Sequence, residues 1–309
     1  MRKPLKIWFT DFWSNFDFQD NVFVAALEMD FDLTLDKTNP DLLIYSWEGQ
    51  DFKKYSCLRV YYTPENWLMP KYSECDFSLS FEYWHDSRNL RYPNYLLYKI
   101  SGSQLTKKEW DFEKIYDLKS GFCSFVVSNA GSQVRNKFFS QLNQLKSVAS
   151  GGRHLNNVGG PVENKMKFLD QYRFNIAFEN ALHPGYTTEK IVEAMAAQTI
   201  PIYYGHDSID LEFNKASFFN YADYSNEKEL MEDVLNHENS RNLYLEKLSQ
   251  PWFIQDTPNQ YFDDNRLRYF FREVVLRSEK RPIGKRKFVS DVLYPGLQML
   301  RRLKEKLKK

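Results

Sequence analysis

The stretch from Tyr172 to Gly205 constrains the fold more than any other part of the chain. It opens with the apolar run Phe174-Asn175-Ile176-Ala177-Phe178 and passes through a polar loop. It then enters a helical pattern over 188–198 and closes with Thr199-Ile200-Pro201-Ile202-Tyr203-Tyr204 before a glycine. Two apolar strands joined by a helix must pair parallel, because the long crossover returns the chain to the same end of the sheet. Other short apolar runs extend this reading: 5–10, 42–47, 58–63 and 77–81 as strands, with 21–27 as a short helix. A second series begins with the strand 122–127, the turn 128–131 and a helix over 135–145, where Phe138, Phe139, Leu142 and Leu145 recur at helical spacing. Residues 150–160, rich in glycine and asparagine, read as loop. Further helices are expected over 227–235 and 265–276. The chain thus reads as two α/β halves joined near residue 120.

With 309 residues the chain is long enough for two such domains, and its 42% hydrophobic and 27% charged residues are a globular composition. Aromatic residues reach 17%. Ring faces suit sugars, but most rings in any chain are core. Cys57, Cys75 and Cys123 are odd in number and widely spaced, with no Cys-x-x-Cys, which argues against a disulfide framework and a zinc site. A reducing compartment is the simplest reading. The start, Met1-Arg2-Lys3-Pro4, is charged, and Lys6 and Asp11 interrupt the apolar residues between Leu5 and Trp13. No apolar run is long enough to span a membrane, so a cytoplasmic protein is expected. Ten basic and two acidic residues between Arg281 and Lys309 leave +8 there, and with a net charge of +1 the remainder carries −7. An acidic body is a poor candidate for nucleic acid.

That basic end has a pattern of its own. Leu297, Leu300, Leu303 and Leu307 form one helical stripe, and Arg301, Arg302, Lys304, Lys306, Lys308 and Lys309 fall mostly elsewhere. A basic amphipathic helix of this kind fits an anionic membrane surface, or packing on protein.

The candidate chemistry lies at the helix start. Thr187 or Thr188 is placed to cap it, and Glu189 and Lys190 then fall in the first turn. Free backbone N–H groups and the helix dipole make such an end an anion site. A lysine there opposes the dipole, which makes sense if a phosphate sits nearby; by physics alone an ordinary solvent-facing lysine fits equally well.

Here the residues carry a resemblance. Phe178-Glu179-Asn180 with Tyr186-Thr187-Thr188-Glu189-Lys190, followed by Ile200-Pro201-Ile202-Tyr203-Tyr204-Gly205, resembles the signature of the α-1,3-fucosyltransferases of glycosyltransferase family ten, above all their bacterial members. Tyr61-Tyr62-Thr63-Pro64-Glu65-Asn66 resembles their acceptor-domain motif. Phe125-Val126-Val127-Ser128-Asn129 with Val134-Arg135-Asn136 resembles the first strand and helix of their donor domain, and Ser217-Phe218-Phe219-Asn220 also fits. The likeness spans roughly residues 5 to 275. It implies a GT-B architecture of two Rossmann-like domains facing a central cleft, with residues 1–120 for the acceptor, 121–276 for GDP-fucose and 277–309 as the basic amphipathic tail.

The resemblance also implies roles. Arg135 and Lys190 match residues on the GDP phosphates, Glu189 the acid on the ribose hydroxyls, and Asn180 and Tyr186 further donor contacts. Glu65, directly after the strand 58–63 and stiffened by Pro64, matches the proposed general base. It would take the proton of the acceptor hydroxyl as this attacks fucose from the face opposite GDP, inverting the β-linked donor to an α-linked product. GDP with its charge compensated needs no acid to leave, whereas a glycosidase needs a second carboxyl group. No cofactor or metal is required on this reading, and Mn²⁺ or Mg²⁺ is at most a stimulant that shields the diphosphate. Asp30-Phe31-Asp32 reads as strand-edge charge rather than a metal site.

One departure stands out: Ala181-Leu182-His183-Pro184-Gly185 replaces the serine and aspartate that many relatives carry before the tyrosine. His183 is read as an exposed loop residue. Among Trp47, Trp67, Tyr83 and Trp84, Trp67 is the candidate for stacking on the acceptor sugar.

The expected activity is transfer of L-fucose from GDP-β-L-fucose to the N-acetylglucosamine of an N-acetyllactosamine-type oligosaccharide or glycolipid, with a Lewis X type product, on the cytoplasmic face of a membrane. The alternatives are another nucleotide sugar on the same architecture, a mixed α-1,4 and α-1,3 linkage, or a non-catalytic carbohydrate-binding module.

Overall fold

A computed structural model of the chain describes residues 2–66, 68–83, 86–276 and 282. The basic segment 283–309, Trp67 and Trp84 lie outside the described residues.

The chain divides into two compact units, one running to Tyr92 and resuming at Asp263, the other spanning Pro93–Phe262. The first holds strands β1 (Lys3–Thr10), β2 (Phe31–Leu35), β3 (Leu42–Tyr45), β4 (Leu58–Tyr62), β5 (Phe77–Ser80) and β6 (Asn89–Arg91). They pair in the order β2-β1-β3-β4-β5-β6, every pair parallel. The second holds β7 (Gly121–Phe125), β8 (Val148–Ser150), β9 (Tyr172–Phe178), β10 (Ile200–Tyr204) and β11 (Phe219–Asn220) in the order β11-β10-β9-β7-β8, again all parallel. Both sheets are wound alike. The chain lays its second strand on one side of the first, then crosses to the other side and continues outward. The carboxyl ends of the strand pairs β1/β3 and β7/β9 therefore diverge, and crevices open beyond such points.

Central parallel strands are covered on both faces and read as unbroken apolar runs, as Leu42-Leu43-Ile44-Tyr45, all buried, illustrates. The helices are α1 (Val22–Glu28), α2 (Phe112–Leu118), α3 (Gln133–Leu145), α4 (Lys165–Leu169), α5 (Glu189–Ala196), α6 (Glu227–Asn239), α7 (Arg241–Ser249) and α8 (Asp264–Leu276). On α3 the expected stripe buries Phe138, Phe139 and Leu142, and Phe139 stacks on Phe125 of β7 at 4.7 Å. Leu145 does not join them. It is the last residue of the helix and is 60% exposed.

The unit boundary also differs from the sequence reading. Residues 93–120 belong with the second sheet rather than the first, because Tyr95, Leu105 and Ile115 enter its core and Tyr95 donates to buried Glu212 at 2.6 Å. Conversely α8 packs with the first unit. Its Phe271 is fully buried against Phe23, and its Arg268 binds the Asp30 carboxylate with two hydrogen bonds of 2.9 and 2.8 Å. Asp30, from the Asp-x-Asp run, is thus engaged by a guanidinium. All three cysteines are buried free thiols.

Candidate active site

Four segments build the site: the loop after β7, the start of α3, the carboxyl end of β9 and the start of α5. Ser132 caps α3, its hydroxyl accepting from the Arg135 amide at 3.5 Å. Arg135 then points back over the end of the sheet. It is 1% exposed, donating to the Asn180 side-chain oxygen at 2.6 Å and to the Asn129 carbonyl at 2.5 Å. Its Nε is buried without a hydrogen-bond partner among the described residues. Burial lowers the guanidinium pKa, and Glu179 and Tyr186 counter that effect. Most arginines are exposed; this one bridges the divergence point of the second sheet, from the loop after β7 to the residue that follows β9 and Glu179.

The β9 strand runs straight into Glu179, which is fully buried. Its carboxylate accepts from the Thr188 amide and hydroxyl, both at 2.7 Å, and from the Lys190 ammonium at 3.2 Å. Thr188 stands at the N-cap of α5 as the sequence implies, but its hydroxyl does not cap the helix. The hydroxyl donates to Glu179 and accepts from Lys190 at 2.7 Å, which leaves backbone N–H groups of the first turn for other acceptors. Glu189, 3.7 Å from the Lys190 ammonium, completes the cluster.

The electrostatics are those of a compensated pair of cations. Burial opposes the Lys190 charge, yet Glu179 and Glu189 hold its pKa well above the usual lysine range. Burial pushes the Glu179 carboxyl up, with Lys190 opposing. Burial also opposes ionisation of Glu189, but Lys190 and Lys165 keep its carboxyl below the usual range. Tyr186 is 5% exposed and interacts electrostatically with both Arg135 and Lys190. The turn before it depends on Gly185, whose φ of 77° is costly for other residues and whose amide donates to the Ser208 hydroxyl at 2.8 Å. His183 in this turn is half-buried rather than exposed.

All five expected donor residues therefore gather at one point: Arg135, Asn180, Tyr186, Glu189 and Lys190. Such a site offers a guanidinium, an ammonium and a helix start to an anion. Glu179 and Thr188, which tie these groups together, received no role in the sequence reading beyond the motif and the cap. The usable signal was an acid directly after the apolar strand end Ile176-Ala177-Phe178, since a carboxylate in that position is buried and requires a cation.

Glu65 lies in the other unit. It follows β4 and is half-buried, and its amide is held by the Thr63 hydroxyl at 3.1 Å. Thr63 is itself anchored, its amide donating to Leu79 of β5 at 3.1 Å. Trp67 and Trp84 cannot be placed beside it, lying outside the described residues. Tyr83 stacks under the Arg91 guanidinium at 3.8 Å, and Trp47 is half-buried just after β3. Among the described residues no group of three or more His, Cys, Asp or Glu could hold a metal ion.

Comparison with known proteins gives consistent matches. Residues 7–98 match the family described as "Alpha-(1,3)-fucosyltransferase FucT N-terminal domain", and residues 116–253 match "Glycosyltransferase family 10 (fucosyltransferase) C-term". The Helicobacter pylori protein "Alpha-(1,3)-fucosyltransferase FucT" is 33% identical over 317 residues, 88% of this chain, and this chain spans 66% of that relative's length. A crystal structure of an alpha1,3-fucosyltransferase superposes with a TM-score of 0.76 at 30% identity, covering 92% of each chain. A crystal structure of an alpha1,3-fucosyltransferase with GDP-fucose superposes with the same TM-score at 28% identity, covering 91% of this chain and 93% of the other.

Proposed function

Since the chain belongs to glycosyltransferase family 10, the fucosyltransferases, we propose that it transfers L-fucose from GDP-β-L-fucose to the N-acetylglucosamine of an N-acetyllactosamine-type acceptor, in α-1,3 linkage and with inversion. The observation that carries this reading is the joining of Arg135 and Lys190 through the Glu179-Asn180 pair at the carboxyl end of β9. The departing diphosphate gains negative charge as the bond to fucose breaks. A guanidinium and an ammonium already in place stabilise that charge without the reorganisation that water would need. Glu189, held ionised by Lys190 and Lys165, suits hydrogen bonds from the ribose hydroxyls. Glu65 is assigned as the general base that takes the acceptor's proton. Its carboxylate is the counterpart of the phosphate cluster: one end of the reaction gains a proton acceptor, the other a charge sink. No step needs a metal-borne group, and a divalent cation that shields the diphosphate would act as part of the donor.

Incubation with GDP-fucose and a panel of β-galactosyl-N-acetylglucosamine acceptors tests this, with released GDP and product linkage as readouts. The expected result is GDP release dependent on acceptor and a product fucosylated α-1,3 on N-acetylglucosamine. Turnover with a different nucleotide sugar and none with GDP-fucose would reject it.

The basic segment, which lies outside the described residues, is proposed to hold the enzyme on an anionic membrane surface at the cytoplasmic face. Its charge of +8 over residues 281–309 supports this, each basic residue contributing about 1 kcal/mol near such a surface. The full chain should co-sediment with phosphatidylserine liposomes at low salt and be released as salt rises. Removal of residues 285–309 should abolish co-sedimentation; equal sedimentation of both proteins contradicts the proposal.

A further inference from the structure

Helix α5 carries charge beyond its first turn. Glu193 follows Glu189 by four residues, so both side chains lie on one face of the helix. Glu193 is buried, and its carboxylate pairs with the ammonium of Lys165, the first residue of α4. Signs therefore alternate along the cluster, from Glu179 to Lys190, Glu189, Lys165 and Glu193. With Arg135 beside Glu179, three cations balance three carboxylates.

Lys165 is delivered by a glycine- and asparagine-rich loop that is pinned on both sides. Residues 151–163 leave the edge strand β8, and Asn157 bonds back to that strand. Its side-chain oxygen accepts from the Ser150 amide at 2.7 Å, and its side-chain nitrogen donates to the Val148 carbonyl at 2.9 Å. Asn156 closes the loop on itself, donating to the Gly152 and Gly160 carbonyls at 2.8 Å. Gly152 packs so tightly against Val127 that a Cβ would lie 1.9 Å from the Val127 carbonyl oxygen. The far end of α4 is tied as well. Buried Lys119 donates to the Asp170 and Ala197 carbonyls, both at 2.8 Å, and so joins the last turns of α4 and α5. Phe168 and Leu169 of α4 pack on Ala197. α4 is thus held against α5 by an ion pair at its start and by a lysine clamp at its end.

The effect of this arrangement falls on Glu189. Lys190 is shared between Glu179 at 3.2 Å and Glu189 at 3.7 Å. One ammonium between two carboxylates leaves Glu189 incompletely compensated. The other titratable groups that face it are acids: Glu179 at the end of β9, Glu193 on its own helix and the Tyr98 phenol from the 3₁₀ turn Asn94–Tyr98. Lys165 is the second cation among these neighbours. Burial opposes ionisation of Glu189, Lys190 and then Lys165 favour it, and its carboxyl lies below the usual range. Ionisation matters for what Glu189 can hold. An ionised carboxylate accepts from both hydroxyls of a vicinal diol, and protonation turns one of its oxygens into a donor.

We infer that Lys165 is a positioning residue for the ribose end of the donor: fixed by Glu193, it is the charge that keeps Glu189 an acceptor for the two ribose hydroxyls of a guanosine diphosphate. The inference rests on the ribose role given to Glu189 under the proposed function. It makes recognition of the nucleotide's sugar depend on α4, a helix outside the segment that carries Glu189 and Lys190.

Calorimetry on the full chain compares GDP with 2′,3′-dideoxy-GDP, which lacks both hydroxyls. The two diphosphates titrate alike, so the ratio of the Kd values reports the ribose contact alone. Hydrogen bonds to a charged acceptor should give GDP an advantage of about tenfold or more. The wild type should keep that advantage as pH falls from about 8 to about 5. Removing a neighbouring cation raises a carboxyl pKa by about 1–3, and the acceptor is lost as pH falls through the raised value. Lys165→Met should therefore lose most of the advantage by pH about 5 and keep it at pH about 8. Lys165→Arg should behave as the wild type. A lysine that served folding alone would weaken both nucleotides together; a Kd ratio unchanged at every pH in Lys165→Met overturns the inference. Should that variant not fold, Glu193→Gln with and without Lys165→Met leaves no carboxylate orphaned at position 193, and the double variant should lose the advantage at a higher pH than Glu193→Gln alone. Equal Kd values for the two nucleotides in the wild type, or binding of neither, overturn the inference together with the ribose role of Glu189. Absence of fucose transfer from GDP-fucose would sink the proposed activity instead, and the binding result would still decide the role of Lys165.

Discussion

Lys190→Ala should lower kcat by about 10²–10³-fold, the loss typical of removing one preorganised donor from developing charge, and should destabilise the protein by about 3–5 kcal/mol. The second effect arises because Glu179 is fully buried and Lys190 is its ion-pair partner at 3.2 Å. Without the ammonium, the buried carboxylate keeps its two hydrogen bonds from Thr188 and the field of the Arg135 guanidinium but loses its ion-pair partner. The two effects can be separated. Adding Glu179→Gln removes the orphaned charge and should return most of the urea midpoint. It should not return turnover, since the diphosphate still lacks its ammonium. Urea denaturation and the GDP-release assay on the single and double variants check this. Recovery of turnover in the double variant would show that Lys190 acts only through folding.

Glu65→Gln should lower kcat by about 10²–10⁴-fold, the usual contribution of a positioned general base. Stability should stay within about 0.5 kcal/mol, because the position is half-buried and the substitution leaves the backbone contacts with Thr63 in place. The GDP Kd should not change either, as the phosphate cluster is in the other unit. A loss of less than tenfold in kcat, measured with saturating donor and acceptor, would remove Glu65 from the role of base. Together the two variants separate charge stabilisation from proton transfer. One should alter both stability and rate, the other rate alone.

Much of this arrangement was legible in the chain, and the failures have physical causes. The β9-α5-β10 segment was readable because β10 is apolar throughout, β9 is apolar but for Arg173 and Asn175, and the helix opens on a threonine and has a periodic face. Strands β6, β8 and β11 have three, three and two residues, too short for any alternation to register. β2, Phe-Asp-Leu-Thr-Leu, is an edge strand with three of its five residues exposed, and its acidic start reads as surface charge. α2 was hidden inside a polar stretch because it buries only Ile115 while Leu118 is 70% exposed; the one available signal was Asp111, whose carboxylate caps the helix. The same concealment moved the apparent domain boundary from residue 92 to near 120. In the site, spacing identified the donor residues, but it could not show that Arg135 is buried, nor that the Thr188 hydroxyl serves Glu179 rather than its own helix. Those facts depend on which loops meet at the end of the sheet.

The return of α8 to the first unit has a consequence for synthesis. The N-terminal sheet emerges from the ribosome first, but the helix that supplies Phe271 to its core and Arg268 to Asp30 is translated after the whole of the second unit. The early half of the chain must therefore wait, with Phe23 uncovered by its late partner, while the later half can complete its own sheet without it. Vectorial folding of this protein would run in the reverse of reading order: the domain made second is the first able to close.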